Sequence, residues 1–153
     1  MKTLPDDYLD PLHSIGYLAR INFRAFSREL ERQTLKHGIS AGQWRFLRVL
    51  WEQDDVTQRE LSDRVGIKEA TTVKAVNSLV EAGLVERHPS AEDKRKIHIR
   101  LTRKARRLRD KLLPIVAQVN EQALAGIPTA DVETTRRVLA RTFANLNAQP
   151  AED

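Results

Sequence analysis

This chain of 153 residues contains no cysteine. Disulfides, thiolate metal sites and thiol redox sensing are therefore excluded, and a reducing cytoplasm suits it. No apolar run approaches the roughly 18 residues needed to span a bilayer, so no membrane role is expected. The first residues, MKTLPDDYLD, lack the apolar core of a secretory signal. Low-complexity segments and internal repeats are missing as well. No Ser-His-Asp set, Gly-rich phosphate loop or metal-hydrolase motif occurs. His13, His37, His88 and His98 have no His or carboxylate neighbours at ligand spacing. Catalytic residues, a metal and a cofactor are therefore not expected, and the chain does not read as an enzyme.

What is present is positive charge in one place. The net charge is +5 and the pI about 9.8, which suits a polyanionic partner. From Glu86 to Lys111 there are eleven Lys or Arg against four Asp or Glu, a net of +7, which leaves −2 for the rest. The length suggests one domain, or one with an extension. Hydrophobic residues make up 41%, enough for a core but low for a large self-contained one.

The stretch from Val56 to Thr102 reads as two short helices, a strand, a charged hairpin and a second strand. That is a helix-turn-helix with a wing, a device for gripping duplex DNA. Thr57 and Glu60 have capping-box spacing, and Val56 can staple onto Leu61. Gly66 can take the left-handed turn that ends the first helix. The second helix is expected from about Lys68 to Ala82, with Val73, Val76 and Leu79 or Val80 as its apolar stripe. Thr71, Thr72, Lys74, Ala75, Asn77 and Ser78 occupy the other side. Of these, Thr71, Thr72, Lys74 and Asn77 are the candidates for reading the major groove, by hydroxyl, ammonium and amide contacts to base edges or phosphates. The alternative for that face is plain solvation. Leu84 and Val85, then the Ile97, Ile99 and Leu101 alternation, read as strands around the polar hairpin HPSAEDKRK.

GLVERHPSAEDKRKIHIRLT and the upstream run GIS-x-x-QW-x-x-L…TQ-x-EL-x-x-x-x-G, Gly38 to Gly66, together resemble the MarR family of bacterial winged-helix regulators. The wing signature is Asp93-Lys94-Arg95 followed by Leu101-Thr102, and the resemblance covers essentially the whole chain. It implies that Arg95 enters the minor groove while Asp93 pins the wing by an ion pair. Lys94 and Lys96 flank that arginine as phosphate contacts. Two positions depart from the family pattern: Val80 stands where Glu is frequent, and Ala105 where Gly is common.

Long helices flank the winged unit. One is expected from about Asp10 to His37, with Leu12, Ile15, Ala19, Phe23, Phe26 and Leu30 on one face. Ser40 and Gln43 then form a second capping box, and the helix to about Gln53 is dense in Trp44, Phe46, Leu47, Leu50 and Trp51. After Thr102 a basic and then apolar helix runs to about Gly126, with a kink or break expected at Pro114. A final helix capped by Thr129 should carry Val132, Leu139, Phe143 and Leu146 on one side. The fold class is therefore mainly α, a winged helix-turn-helix with long N- and C-terminal helices forming a dimerisation domain. The segments are 1–37, an arm and dimerisation helix; 38–102, the winged domain; and 103–153, C-terminal dimerisation helices. One protomer cannot bury all these apolar faces, and a two-fold homodimer can.

The cluster Trp44, Arg45, Arg48 and Trp51 reads as core, or as an aromatic wall beside a guanidinium suited to a flat carboxylate. On the second view an aromatic acid stacks on Trp44 and pairs with Arg45. Ser27, His13 and Tyr17 complete the contacts, the last two reaching from the dimer partner. The favoured function is a dimeric repressor released from a palindromic operator by a small aromatic carboxylate. The alternative is a ligand-independent architectural or accessory DNA binder.

Overall fold

The computed structural model describes residues 10–148. The arm expected at the start of the segment 1–37 lies outside them. Two units are distinguished, 1–119 and 120–153.

In the first unit a 3-10 turn, Pro11–His13, precedes α1, Ile15–Thr34. The single long helix expected from Asp10 is therefore interrupted. Ser14 is extended, and its hydroxyl accepts from the Tyr17 N–H, capping α1 afresh. A second 3-10 turn, Leu35–His37, closes α1, and Gly38 ends it at φ 74°. Thr34 is fully buried there and donates to the Ile39 carbonyl at 2.8 Å.

Helix α2, Ala41–Glu52, starts in the capping box read from Ser40 and Gln43, with both halves formed. Glu31 reaches across from α1 to accept the Ala41 N–H at 3.0 Å, placing a carboxylate at the positive end of α2. Trp44, Phe46, Leu47 and Leu50 of α2 are buried. Val56–Thr57 form a two-residue strand, β1, which the sequence reading missed. Then come α3, Gln58–Val65, α4, Glu69–Glu81, β2, Val85–Pro89, and β3, Ile97–Leu101. The sheet order is β1-β3-β2, antiparallel throughout, with Val56 opposite Ile99 and Val85 opposite Leu101. Alternation along β3 buries Ile99 and Leu101 against Leu61, Val76, Leu79 and α2, while Ile97 stays exposed near the hairpin tip.

Helix α5, Arg103–Ala123, continues through Pro114, so of the expected kink or break the break does not occur. The missing N–H frees one carbonyl on an exposed turn, where water can satisfy it. Ala105 and Leu112 of α5 are fully buried in the same core.

The second unit holds the end of α5 and α6, Thr129–Asn147. Thr129 is not the cap. Pro128 occupies that place, with no side-chain hydrogen bond. No described residue of α6 is buried, and Val138, Leu139, Phe143 and Leu146 are exposed. No helix among the described residues is long and apolar enough to cross a membrane.

Candidate nucleic-acid interface

Four side-chain contacts fix α4, the second helix of the helix-turn-helix. Within the turn, the Ser62 hydroxyl donates to the Ile67 carbonyl at 2.7 Å and accepts from Thr72 at 3.1 Å. From α2, Gln43 donates to the Ser78 hydroxyl at 3.2 Å, so one side chain serves both a helix cap and a neighbouring helix. From β2, the Arg87 guanidinium donates to the Asn77 side-chain oxygen. From α5, Lys104 donates to the Ala82 carbonyl at 2.8 Å, at the negative end of α4.

These contacts correct the expected phase of α4. Thr72, Val76 and Leu79 form its buried stripe, and Val73 is 38% exposed. Thr72 therefore does not face a groove. A threonine at the tight helix-helix turn has a hydroxyl partner, Ser62, whereas the bulkier Val73 is left outside. Thr71, Lys74 and Asn77 are exposed, as expected. Ala70, Lys74, Asn77 and Glu81 stand at i, i+4, i+7 and i+11, one outward stripe. The acidic Glu81 lies at its C-terminal end and Glu69 in the first turn of α4, so the middle of the stripe, Lys74 and Asn77, suits a phosphate-lined groove best.

The hairpin between β2 and β3 is an ordered wing. Lys96 accepts from the Ser90 N–H at its carbonyl and donates its own N–H to the Asp93 carbonyl, both at 2.9 Å. The Ser90 hydroxyl accepts the N–H groups of Glu92 and Asp93. Asp93 accepts the Arg95 N–H at 3.0 Å and the Arg95 Nε at 3.2 Å. Those bonds, the backbone one first, hold its carboxyl below the usual carboxylate range. The Arg95 side chain is nevertheless 92% exposed. Lys94 and Lys96 are exposed beside it.

Two acidic residues missed by the sequence reading hold the wing's base. Asp55 adopts φ 59°, a left-handed conformation that Asp tolerates better than most residues. Its carboxylate pairs with Arg100 at 2.8 Å and His98 at 3.0 Å. His98 is therefore half-buried and partnered rather than simply facing solvent. The neighbouring Asp54 accepts the Leu101 N–H and pairs with Arg106 of α5 at 2.9 Å. The consecutive Asp-Asp after an amphipathic helix was the available signal, but its partners lie more than forty residues away. Further cations stand on α5, where Arg103, Lys104, Arg107 and Lys111 line an open cleft.

The expected ligand cluster is not assembled within the protomer. Trp44 is only 7% exposed and meets Trp51 edge-on, ring centres 5.5 Å apart. No face remains for a flat acid, and Trp44 is core. Trp51 donates its indole N–H to the Ala105 carbonyl at 3.0 Å. Arg45 points outward and is exposed. His13 pairs with Asp10 at 3.2 Å, and Tyr17 lies under the Arg20 guanidinium. Ser27 is half-buried ten residues beyond Tyr17, about 15 Å along a helix. Among the described residues no group of His, Asp or Glu could hold a metal.

Residues 37–96 match the model of the MarR family. A solved structure of the transcriptional regulator PA3341 is 35% identical, with a TM-score of 0.78 over 89% of this chain and 100% of that one. The HTH-type transcriptional repressor IacR of Pseudomonas putida is 28% identical over 85% of this chain and 77% of its own. CouR from Rhodococcus jostii RHA1, solved bound to p-coumaroyl-CoA, is 26% identical with a TM-score of 0.73 over 84% of this chain and 91% of that one. The first two are a transcriptional regulator and a transcriptional repressor, not enzymes. A winged helix-turn-helix with an ordered arginine-tipped wing, and relatives of this kind over nearly its whole length, make the chain a member of the MarR family of transcriptional regulators.

Proposed function

We propose that this regulator is a cytoplasmic homodimeric repressor that binds a palindromic operator and leaves it when a small aromatic acid or aromatic acyl compound binds. The observation that carries the DNA reading is the exposed stripe of Lys74 and Asn77 on a helix fixed from four sides, beside the exposed Arg95 of the wing. Thr71 joins the reading set, Lys94 and Lys96 serve phosphates, and Asp93 holds the wing loop. Two such units related by a two-fold axis would meet half-sites about 34 Å apart, one turn of duplex. Unpartnered apolar residues support the dimer. In the first unit they are Leu12, Ile15 and Phe23, and in the second Leu139, Phe143 and Leu146.

Support for the effector is the likeness to a repressor and to CouR, a protein solved with an aromatic acyl thioester. Arg45 is the carboxylate partner in this reading, with Ser27 of the same chain and His13 or Tyr17 from the second protomer. Trp44 stays in the core and makes no stack. The physics is a population shift: ligand binds better to the conformation whose reading helices are misplaced for the two half-sites. Calorimetry of a panel of aromatic acids and their thioesters, paired with release from a selected operator, tests it. Binding and release by wild type, with affinity about ten- to a hundredfold weaker for Arg45→Ala, is the expected result. DNA binding that no compound disturbs would favour the ligand-independent binder instead.

A further inference from the structure

The contact between Arg87 of β2 and Asn77 of α4 has a chemical polarity. Arginine carries only donors, so the atom of Asn77 that faces it must be the amide oxygen. The two N–H donors of the amide are then the end left for the groove. Arg87 is itself exposed, and its neighbour Glu86 is occupied by His88 at 3.2 Å. The remaining guanidinium donors are thus available as well. Asn77 lies on the outward stripe with Ala70 and Lys74, where small Ala70 lets the helix approach closely.

An unrestrained asparagine in the major groove is suited to adenine, because its oxygen accepts from N6 while its nitrogen donates to N7. Here that oxygen already accepts from Arg87, so an adenine N6 donor would have to share its second lone pair beside a guanidinium. We propose that Asn77 and Arg87 form one reading unit whose free polar groups are chiefly donors, four or more N–H groups against one crowded lone pair, and that it therefore selects guanine over adenine at one position of each operator half-site. Guanine offers two adjacent acceptors, N7 and O6, whereas cytosine offers a donor and thymine a single acceptor beside a methyl group. Arg87 is the positioning residue, since it sets which end of the Asn77 amide meets the base. The inference rests on the DNA reading proposed above.

Selection from a randomised duplex library with the full-length protein tests it, followed by titration of the selected site with guanine replaced by adenine. Wild type should require guanine at the position that Asn77→Ala makes indifferent, and the adenine duplex should bind about ten- to a hundredfold more weakly. In Arg87→Ala the amide is free to turn, so preference at that same position should move to adenine or vanish. Arg87→Gln keeps a donor for the Asn77 oxygen but removes the charge. It should retain guanine at that position, with the adenine duplex still the weaker of the two. Two results would overturn the proposal. One is an Asn77-sensitive position in wild type that is not guanine. The other is an Arg87→Ala variant that keeps guanine and weakens every sequence equally, which would make Arg87 a phosphate contact. If wild type selected no sequence at all, the DNA reading itself would fail, a separate outcome.

Discussion

At the scale of single residues, the wing arginine carries the sharpest expectation. Asp93 holds Arg95 through a backbone and a side-chain bond, yet the guanidinium stays almost wholly solvated. A loop that is ordered before binding loses less entropy on contact with DNA. Arg95→Ala should therefore cost about 1–3 kcal/mol in operator affinity, while Lys94→Ala and Lys96→Ala should chiefly flatten the salt dependence. Titrations at several salt concentrations separate the two behaviours, and an unchanged affinity for Arg95→Ala removes it from the groove. Thr72 makes the opposite case. Its hydroxyl is buried against Ser62, so Thr72→Val should lower thermal stability by about 0.5–1.5 kcal/mol and leave operator preference unchanged. A melting curve and a binding-site selection check both halves. The capping pairs Ser40–Gln43 and Thr57–Glu60 and the turn at Gly66 were legible in the sequence, because each is settled by neighbours within four residues. The phase of α4 was not, because whether Thr72 or Val73 turns inward depends on a hydroxyl partner ten residues away.

At the scale of elements, the winged core is joined by polar links that periodicity does not reveal. Val56 and Thr57 are too short a run to read as a strand and gain that form only by pairing with β3. The Asp54–Asp55 turn then ties the end of α2 to β3 and α5 through Leu101, Arg100, His98 and Arg106. The Arg100 guanidinium, with His98, holds the Asp55 carboxyl below its ordinary range. A depressed carboxyl contributes stability above its unfolded value, and that contribution is lost as pH falls through the lowered folded value. Wild type should thus lose melting temperature on acidification below the ordinary carboxylate range. Asp55→Asn, which tolerates the left-handed turn but cannot ionise, should start lower near neutrality and lose less. Parallel melting curves at neutral and acid pH would show it, and identical acid losses in the two proteins would deny Asp55 this role. The basic character of α5 and the burial of Trp44 follow different logics. The first was visible as charge, whereas composition alone could not decide between core and pocket for the second.

At the scale of the whole molecule, the distribution of charge and of apolar surface divides the labour. The net +7 between Glu86 and Lys111 lies on the wing and the start of α5, as a DNA-facing region requires. Each unit also leaves large apolar side chains in solvent. Phe143 and Leu146 of α6 are 71% and 77% exposed, and Leu12 and Phe23 in the first unit 68% and 59%. Isolated exposed leucines need no explanation, but an amphipathic helix with no buried residue at all does. A helix of this kind, in a protein, gains most of its stability from a packed apolar face rather than from propensity. In the proposed homodimer a second copy of the chain would supply that face, and two reading helices joined by a two-fold axis would bind a palindrome far more tightly than either alone. Removal of residues 127–153 should therefore weaken the dimer and leave the winged core, whose buried side chains all precede residue 120, folded. Sedimentation and operator titration of the truncated protein test this together. The expected species is a monomer or an aggregating mixture that binds a half-site weakly and gains little from the second half-site. A monodisperse monomer that bound the full operator as tightly as the intact chain would show that dimerisation plays no part in reading DNA.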